Sequence, residues 1–102
     1  MSLEYNIRQL KLILKNVENC KNEKISLNTL IVNVEALLNC LENFDLVVKD
    51  QMVEQWGELE ITYSIVASEE RKTFTDDEER RVFEALKNIE NIVTAQINNE
   101  II

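Results

Sequence analysis

The sequence predicts an all-α protein in which residues 1–102 form a single domain, an antiparallel four-helix bundle. The chain of 102 residues contains no proline and one glycine, whereas sheets and long loops need such turn residues. Four segments also repeat apolar residues every three or four positions, the period of an amphipathic helix. The hydrophobic share of 45% is enough to form one core in a domain of this length.

Four helices are predicted, at residues 3–21, 27–43, 46–69 and 76–97. The polar runs between them are short, and short connections favour antiparallel neighbours in a bundle. Residues 98–102 follow the last helix and are expected to fray, as chain ends commonly do.

All four helices follow recognisable start signals, and for the first helix the predicted N-cap is Ser2. Ser26 and Asp45 each precede an apolar run, and their side chains can accept the free amide N–H groups of a first helical turn. Thr75 and Glu78 have the spacing of a capping box, in which each side chain bonds the other residue's amide. The starts of the second, third and fourth helices are therefore specified locally.

The apolar stripes predict which residues face the core. The stripes are Leu3, Ile7, Leu10, Leu14 and Val17, widened by Leu12 and Ile13, in the first helix; Leu27, Leu30, Ile31, Val34, Leu37, Leu38 and Leu41 in the second; Met52, Trp56, Leu59, Tyr63 and Val66, with Val53 and Ala67 beside them, in the third; and Val82, Phe83, Leu86, Ile89, Val93 and Ile97 in the fourth. Gly57 lies inside the third helix, where a glycine costs about 1 kcal/mol relative to alanine. We expect it to permit a kink or the close approach of another helix.

The composition excludes several kinds of chemistry. No histidine is present, so a histidine-assisted nucleophile and a Cys/His zinc site are not available. One glycine is too few for a phosphate-binding loop. Cys20 and Cys40 are expected to be free thiols, because roughly 20 Å of helix separates them and a disulfide needs Cα atoms within about 7 Å. Although composition leaves a carboxylate pair open, we expect no enzyme, no catalytic residue, no metal and no cofactor.

The location predicted from the sequence is the cytoplasm. Residues 3–21 carry several basic side chains and lack the continuous apolar run of a secretory signal. No apolar run approaches the roughly 18 residues that span a bilayer. Free thiols fit the same compartment.

Negative charge is concentrated in the middle of the chain. The formal net charge is −8, and residues 25–70 alone carry nine acids against the single base Lys49. Such a field repels nucleic acid and anionic lipid and attracts basic surfaces. We therefore expect a basic protein partner, and neither nucleic acid nor a membrane.

A ridge of like charges marks the predicted third helix. Asp50, Glu54 and Glu58 recur every four residues, a spacing that destabilises a helix slightly instead of supporting it. If the second and third helices are neighbours, this ridge can join other acids in one partner-binding face. The predicted binding residues are Glu35, Glu42, Asp45, Asp50, Glu54 and Glu58. An ordinary solvated surface is the alternative interpretation.

Three segments resemble a known group of proteins: ISLNTLIVNVEALLNCLENF at residues 25–44, WGELEITYSIV at 56–66 and FTDDEERRVFEALKNIENIV at 74–93. Together they resemble small helical immunity proteins of bacterial polymorphic-toxin and contact-dependent growth-inhibition systems. The resemblance covers residues 25–93 and implies a protein that binds and neutralises a cognate toxin domain. A nuclease toxin has a basic groove for phosphates, which an acidic inhibitor can block. No catalytic residue is carried over.

A different class of function remains open beside this one. A helical adaptor or regulatory subunit would bind its partner through an apolar groove and with weak salt dependence. Such a groove, or a homodimer contact, can be supplied by Leu12, Ile13, Val32, Val47 and Val48. The sequence leaves monomer and homodimer as alternatives.

Overall fold

The computed structural model describes residues 2–101, and the side chains of residues 3–99. The described chain folds into four helices, α1 (Ser2–Lys21), α2 (Leu27–Asn39), α3 (Leu46–Ser68) and α4 (Asp76–Ile101). No strand occurs in this part of the chain. The predicted all-α four-helix bundle is confirmed.

Each helix packs against two neighbours, and the helices form a ring in chain order. Both α1 and α3 contact α2 and α4, and among the described residues they do not contact each other. Neighbours run antiparallel: the beginning of α1 meets the connection that follows α2 through Asn6 and Glu42, and Val48 near the start of α3 lines one groove with Asn99 near the end of α4. The outer faces of α1 and α3 therefore lie on opposite sides of the bundle.

One apolar core fills the space between the four helices. Its most deeply buried members are Leu10, Ile13, Val17, Leu30, Val34, Met52, Leu59, Ile89 and Val93. Burying one such side chain contributes about 1.5–3 kcal/mol. The core thus draws on every helix, and it fixes the inward side of each.

Three of the four predicted start signals are confirmed, whereas Ser2 is the first residue of α1 and not its N-cap. The Ser26 hydroxyl accepts a hydrogen bond from the amide N–H of Thr29 at 3.1 Å. The Asp45 carboxylate accepts from the amides two and three residues later, at 2.8 and 3.2 Å. The amide of Thr75 donates to the carboxylate of Glu78 at 2.8 Å, and the amide of Glu78 donates back to the Thr75 hydroxyl at 3.2 Å.

The predicted end of the second helix is wrong, because α2 ends at Asn39 instead of residue 43. The side-chain amide of Asn6 donates to the carbonyl of Glu42 at 2.6 Å and accepts from its N–H at 2.9 Å. Asn43 then has a left-handed φ of 48°, which a continuing helix does not allow. The contact with α1 replaces the last helical turn.

The predicted end of the fourth helix also differs from the structure. Helix α4 continues to Ile101, so residues 98–101 are helical where fraying was expected, and residue 102 lies outside the described residues. Ile97 is still part of the core, which holds this end of the helix in place. Neither α4 nor any other helix within residues 2–101 has the length and apolar character needed to cross a bilayer.

Five side chains predicted to lie on or beside core stripes are at the surface, and two of them, Val53 and Ala67, are on α3. Leu3 and Leu12 are each 47% exposed, and Phe83 is 57% exposed. In α1 the buried line instead passes through Asn6, Leu10, Ile13 and Val17, and in α4 Ala85 is buried. The buried sides of α1 and α4 are therefore rotated around the helix axis relative to the predicted stripes. Packing against neighbouring helices selects the buried side, and periodicity alone does not.

Candidate functional site

Helix α3 is apolar on two sides. Its inner side contributes Met52, Leu59 and Val66 to the buried positions. Of the nine large apolar side chains described as exposed, five also lie on this helix: Leu46, Val47, Val53, Ile61 and Ile65. The outward side of a helix in a globular protein is normally polar, so an apolar outward side is typical of a contact surface.

Helical periodicity groups the outward residues of α3 into one surface. We call this surface the α3 outer face, and its members are Asp50, Val53, Glu54, Gly57, Glu58, Glu60, Ile61 and Ile65. All of them except the half-exposed Gly57 are exposed. Residues three and four apart are neighbours on a helix surface, so apolar and acidic side chains alternate closely across this face.

A gap lies in the middle of the α3 outer face, at Gly57. A Cβ atom added there would meet nothing within 4 Å, and the residue does not have a positive φ. The expected close approach of another helix is therefore wrong, and no left-handed conformation requires glycine. Val53 and Ile61 flank the gap along the helix, four residues away on either side, and Glu54 and Glu60 flank it three residues away.

The predicted acidic ridge lies on this face. Asp50, Glu54 and Glu58 are all exposed on α3. Each step of four residues rotates by about 40° around the helix axis, so the ridge winds toward the side of α3 where Gln55 accepts a hydrogen bond from Asn88 of α4. The ridge therefore moves away from α2 along its length.

The other three predicted acids are placed differently. Glu35 of α2 lines a small groove of about 110 Å³ with Val53 and Trp56, so it borders the α3 outer face. Glu42 lies in the α2–α3 connection with its backbone bonded to α1. The carboxylate of Asp45 is already used to cap α3. The structure thus places Glu35 beside Val53, at the edge of the α3 outer face, and engages Asp45 within the fold.

None of the acids on the α3 outer face makes an ion pair within the described part of the chain. The ion pairs there are Lys21–Glu90, Arg71–Glu69, Arg71–Glu78 and Arg80–Asp77. The charge of the α3 outer face is consequently not neutralised by any side chain described in this protein. It remains available to a cationic partner.

Glu78 at the start of α4 differs from these acids, because its carboxylate is paired within the fold. The guanidinium of Arg71 donates two hydrogen bonds of 2.7 Å to Glu78, and the amide of Thr75 donates a third. These bonds, that of Arg71 first, lower the pKa of Glu78 to about 2, and the pKa of Arg71 is raised above its usual value. This carboxylate serves the α3–α4 connection.

Comparison with known proteins adds no family to this description. Family models, curated proteins and solved structures give no match. The resemblance to helical immunity proteins stays a prediction based on residues 25–93.

The apolar patch predicted for an adaptor does not assemble. Ile13 is fully buried, because it lies on the inner side of α1, and Val48 is only partly exposed. Leu12, Val32 and Val47 are exposed but belong to three different helices. The exposed apolar residues that do lie together on α3 include Ile61 and Ile65, whose four-residue spacing was the available signal in the sequence.

The two cysteines and the described acids do not form a second candidate site. Cys20 and Cys40 are free, as predicted, and Cys40 is exposed. Burial raises the pKa of the Cys20 thiol, which makes it a poor nucleophile. Among the described residues, no three Cys, Asp or Glu side chains come together in a way that could hold a metal ion.

Proposed function

We propose that this protein binds and neutralises a basic partner protein, a cognate toxin domain, through the α3 outer face. The observation that supports this function is the set of exposed apolar residues lying among unpaired acids on one face of α3. Protein interfaces commonly have an apolar centre and a polar rim. The resemblance to immunity proteins implies the same kind of partner.

The charges on this face favour a basic partner. A surface of like sign steers an oppositely charged protein toward it and disfavours wrong partners. A nuclease must present cationic side chains to bind phosphates, so its substrate groove, or a surface beside that groove, fits the acids of α3. Occupying that groove would exclude the substrate without any catalysis by the inhibitor.

The experiment is co-expression with the product of the adjacent upstream gene, followed by a growth assay and a pull-down at low and high salt. We expect protection of the cells and a complex that weakens steeply as salt rises, because salt screens exposed charges. Glu54→Lys should abolish protection, whereas Glu18→Lys on the opposite side of the bundle should not. Absence of both capture and protection would remove the proposed function.

A groove with apolar and charged lining favours a second candidate, the adaptor or regulatory subunit. The groove has a volume of about 450 Å³, lies between the end of α1 and the start of α4, and includes Phe74, Val82 and the exposed Phe83. An adaptor that binds here through the apolar part of the groove would form a complex that depends weakly on salt and is sensitive to Phe83→Ser. The same pull-down, repeated with Phe83→Ser and Glu54→Lys, separates the two functions.

A further inference from the structure

We propose that the gap at Gly57 receives one cationic side chain of the partner, an arginine or a lysine. This inference rests on the proposed function, since the side chain belongs to the protein bound at the α3 outer face. It adds a specific contact: the aliphatic stem packs against Val53 and Ile61, and the charged head reaches Glu54 or Glu60.

The dimensions of the gap suit such a side chain. A rise of 1.5 Å per residue places Val53 and Ile61 about 6 Å from Gly57 along the helix axis, on either side. The absence of a side chain at Gly57, with nothing within 4 Å of where its Cβ would be, leaves room between them. Arginine and lysine bury an apolar stem while their heads keep polar contacts. Such a side chain fits a gap that has apolar residues along the helix axis and acidic residues beside it.

The charges around the gap select a cation over an apolar side chain. Glu54 and Glu60 flank the gap, both are exposed, and neither has an ion-pair partner among the described residues. Lys49 is the single base of residues 25–70 and is not part of the α3 outer face. A partner that covered the gap with an apolar side chain would desolvate these carboxylates without compensation, which is costly. A guanidinium or ammonium group compensates them directly.

The glycine itself has no other explanation within the fold. It costs about 1 kcal/mol relative to alanine in a helix, and neither a neighbouring atom nor its own φ requires it. A long side chain at this position, such as leucine, would occupy the space between Val53 and Ile61.

The test uses defined peptides, so that it does not depend on finding the toxin. The probes are an acetylated helical peptide of alanine and glutamine with one central arginine, and its twin with citrulline, which has nearly the same shape and no charge. Each is titrated into the isotope-labelled protein and followed by NMR. We expect shifts centred on Val53, Gly57 and Ile61 with the arginine peptide, and affinity about tenfold weaker with citrulline.

Gly57→Leu is the decisive variant, because its side chain occupies the gap while the backbone stays helical. This variant should no longer bind the arginine peptide. Its melting temperature should be no lower than that of the natural chain. Ala36→Leu on α2 is the matched control and should bind as before. Equal affinity for the two peptides, unchanged binding by Gly57→Leu, or no shifts at Gly57 would each overturn the inference.

The same variant separates this inference from the proposed function. Toxin neutralisation that requires Glu54 but survives in Gly57→Leu would overturn the gap as a binding site and leave the proposed function in place. Arginine-dependent peptide binding at Gly57 without any protection from the upstream gene product would overturn the proposed function alone.

Discussion

Two acidic regions of this molecule look alike in the sequence and differ in the structure. At the start of α4, Glu78 accepts two bonds from Arg71 and one from Thr75, and Asp77 pairs with Arg80 at 3.1 Å. On the α3 outer face, the acids have no such partners among the described residues. Acids that lie close together in the sequence can therefore be bonded within the fold in one region and, within residues 3–99, remain without an ion-pair partner in another.

The surroundings of the two regions differ as well. The side chain of Glu78 is only 13% exposed, and its carboxylate joins the two segments that meet at the α3–α4 connection. The acids of the α3 outer face are exposed and lie beside Val53 and Ile61. One region uses its charge to hold the fold, and the other presents charge beside apolar surface.

The largest expected effect is on partner binding. Glu54→Ala should weaken binding of the cognate toxin domain by about 2–5 kcal/mol, because a cation of the partner would be left desolvated and unpaired. Asp76→Ala removes the same charge from the start of α4 and should leave the affinity unchanged. Calorimetric titration measures both variants, and equal affinity of Glu54→Ala and the natural chain would show that the α3 assignment is wrong.

The next largest expected effect is on stability and concerns the side-chain amide of Asn6. Asn6→Ala should lower the free energy of unfolding by about 1–3 kcal/mol, because the N–H and C=O of Glu42 lose their side-chain partner. Denaturant titration measures the loss. Asn98→Ala, on an exposed part of α4, is the control with the same change of side chain. A loss as small as that of the control would mean that Asn6 does not hold the end of α2.

The Arg71–Glu78 pair should make stability depend on pH in the acid range. The folded-state pKa of Glu78 is about 2, below its ordinary value of 4.5, so the stabilisation is fully present above pH 4.5 and is lost as pH falls toward 2. Glu78→Gln retains a capping side chain and should show a shallower loss over this range. Thermal melts at several pH values check this, with Glu58→Gln on α3 as the matched control. Identical slopes for Glu78→Gln and the natural chain would contradict the role of the pair.

The smallest expected effect has the opposite sign. Gly57→Ala should raise the free energy of unfolding by about 0.5–1 kcal/mol, because alanine favours the helix and its Cβ meets no atom within 4 Å. Denaturant titration detects a change of this size. A decrease in stability would show that Gly57 is required by the fold and not left free for a partner.

Local signals explain why the helix starts were predictable and one helix end was not. The caps at Ser26, Asp45 and Thr75 act within three residues of themselves, so their patterns can be read directly. The end of α2 is set by Asn6, whose bond to Glu42 spans 36 residues. Nothing near residue 40 in the sequence indicates that contact.

The candidate site was predictable only in part. The four-residue spacing of Asp50, Glu54 and Glu58 was enough to place them together on one side of a helix. The apolar part was missed, because Ile61 and Ile65 lie between core positions in the sequence and both sides of α3 are apolar. Periodicity alone cannot choose between two apolar sides, since the choice depends on where α2 and α4 pack.

The sequence by itself determined the four helices, three of their starts and the concentration of acid between residues 25 and 70. These properties depend on residues close together along the chain, through backbone hydrogen bonding, capping and composition. Only the tertiary structure decided which side of each helix is buried, the diagonal placement of α1 and α3, and the open space at Gly57. Those features depend on packing between distant segments, where the fit of apolar surfaces selects one arrangement among several that the periodicity allows.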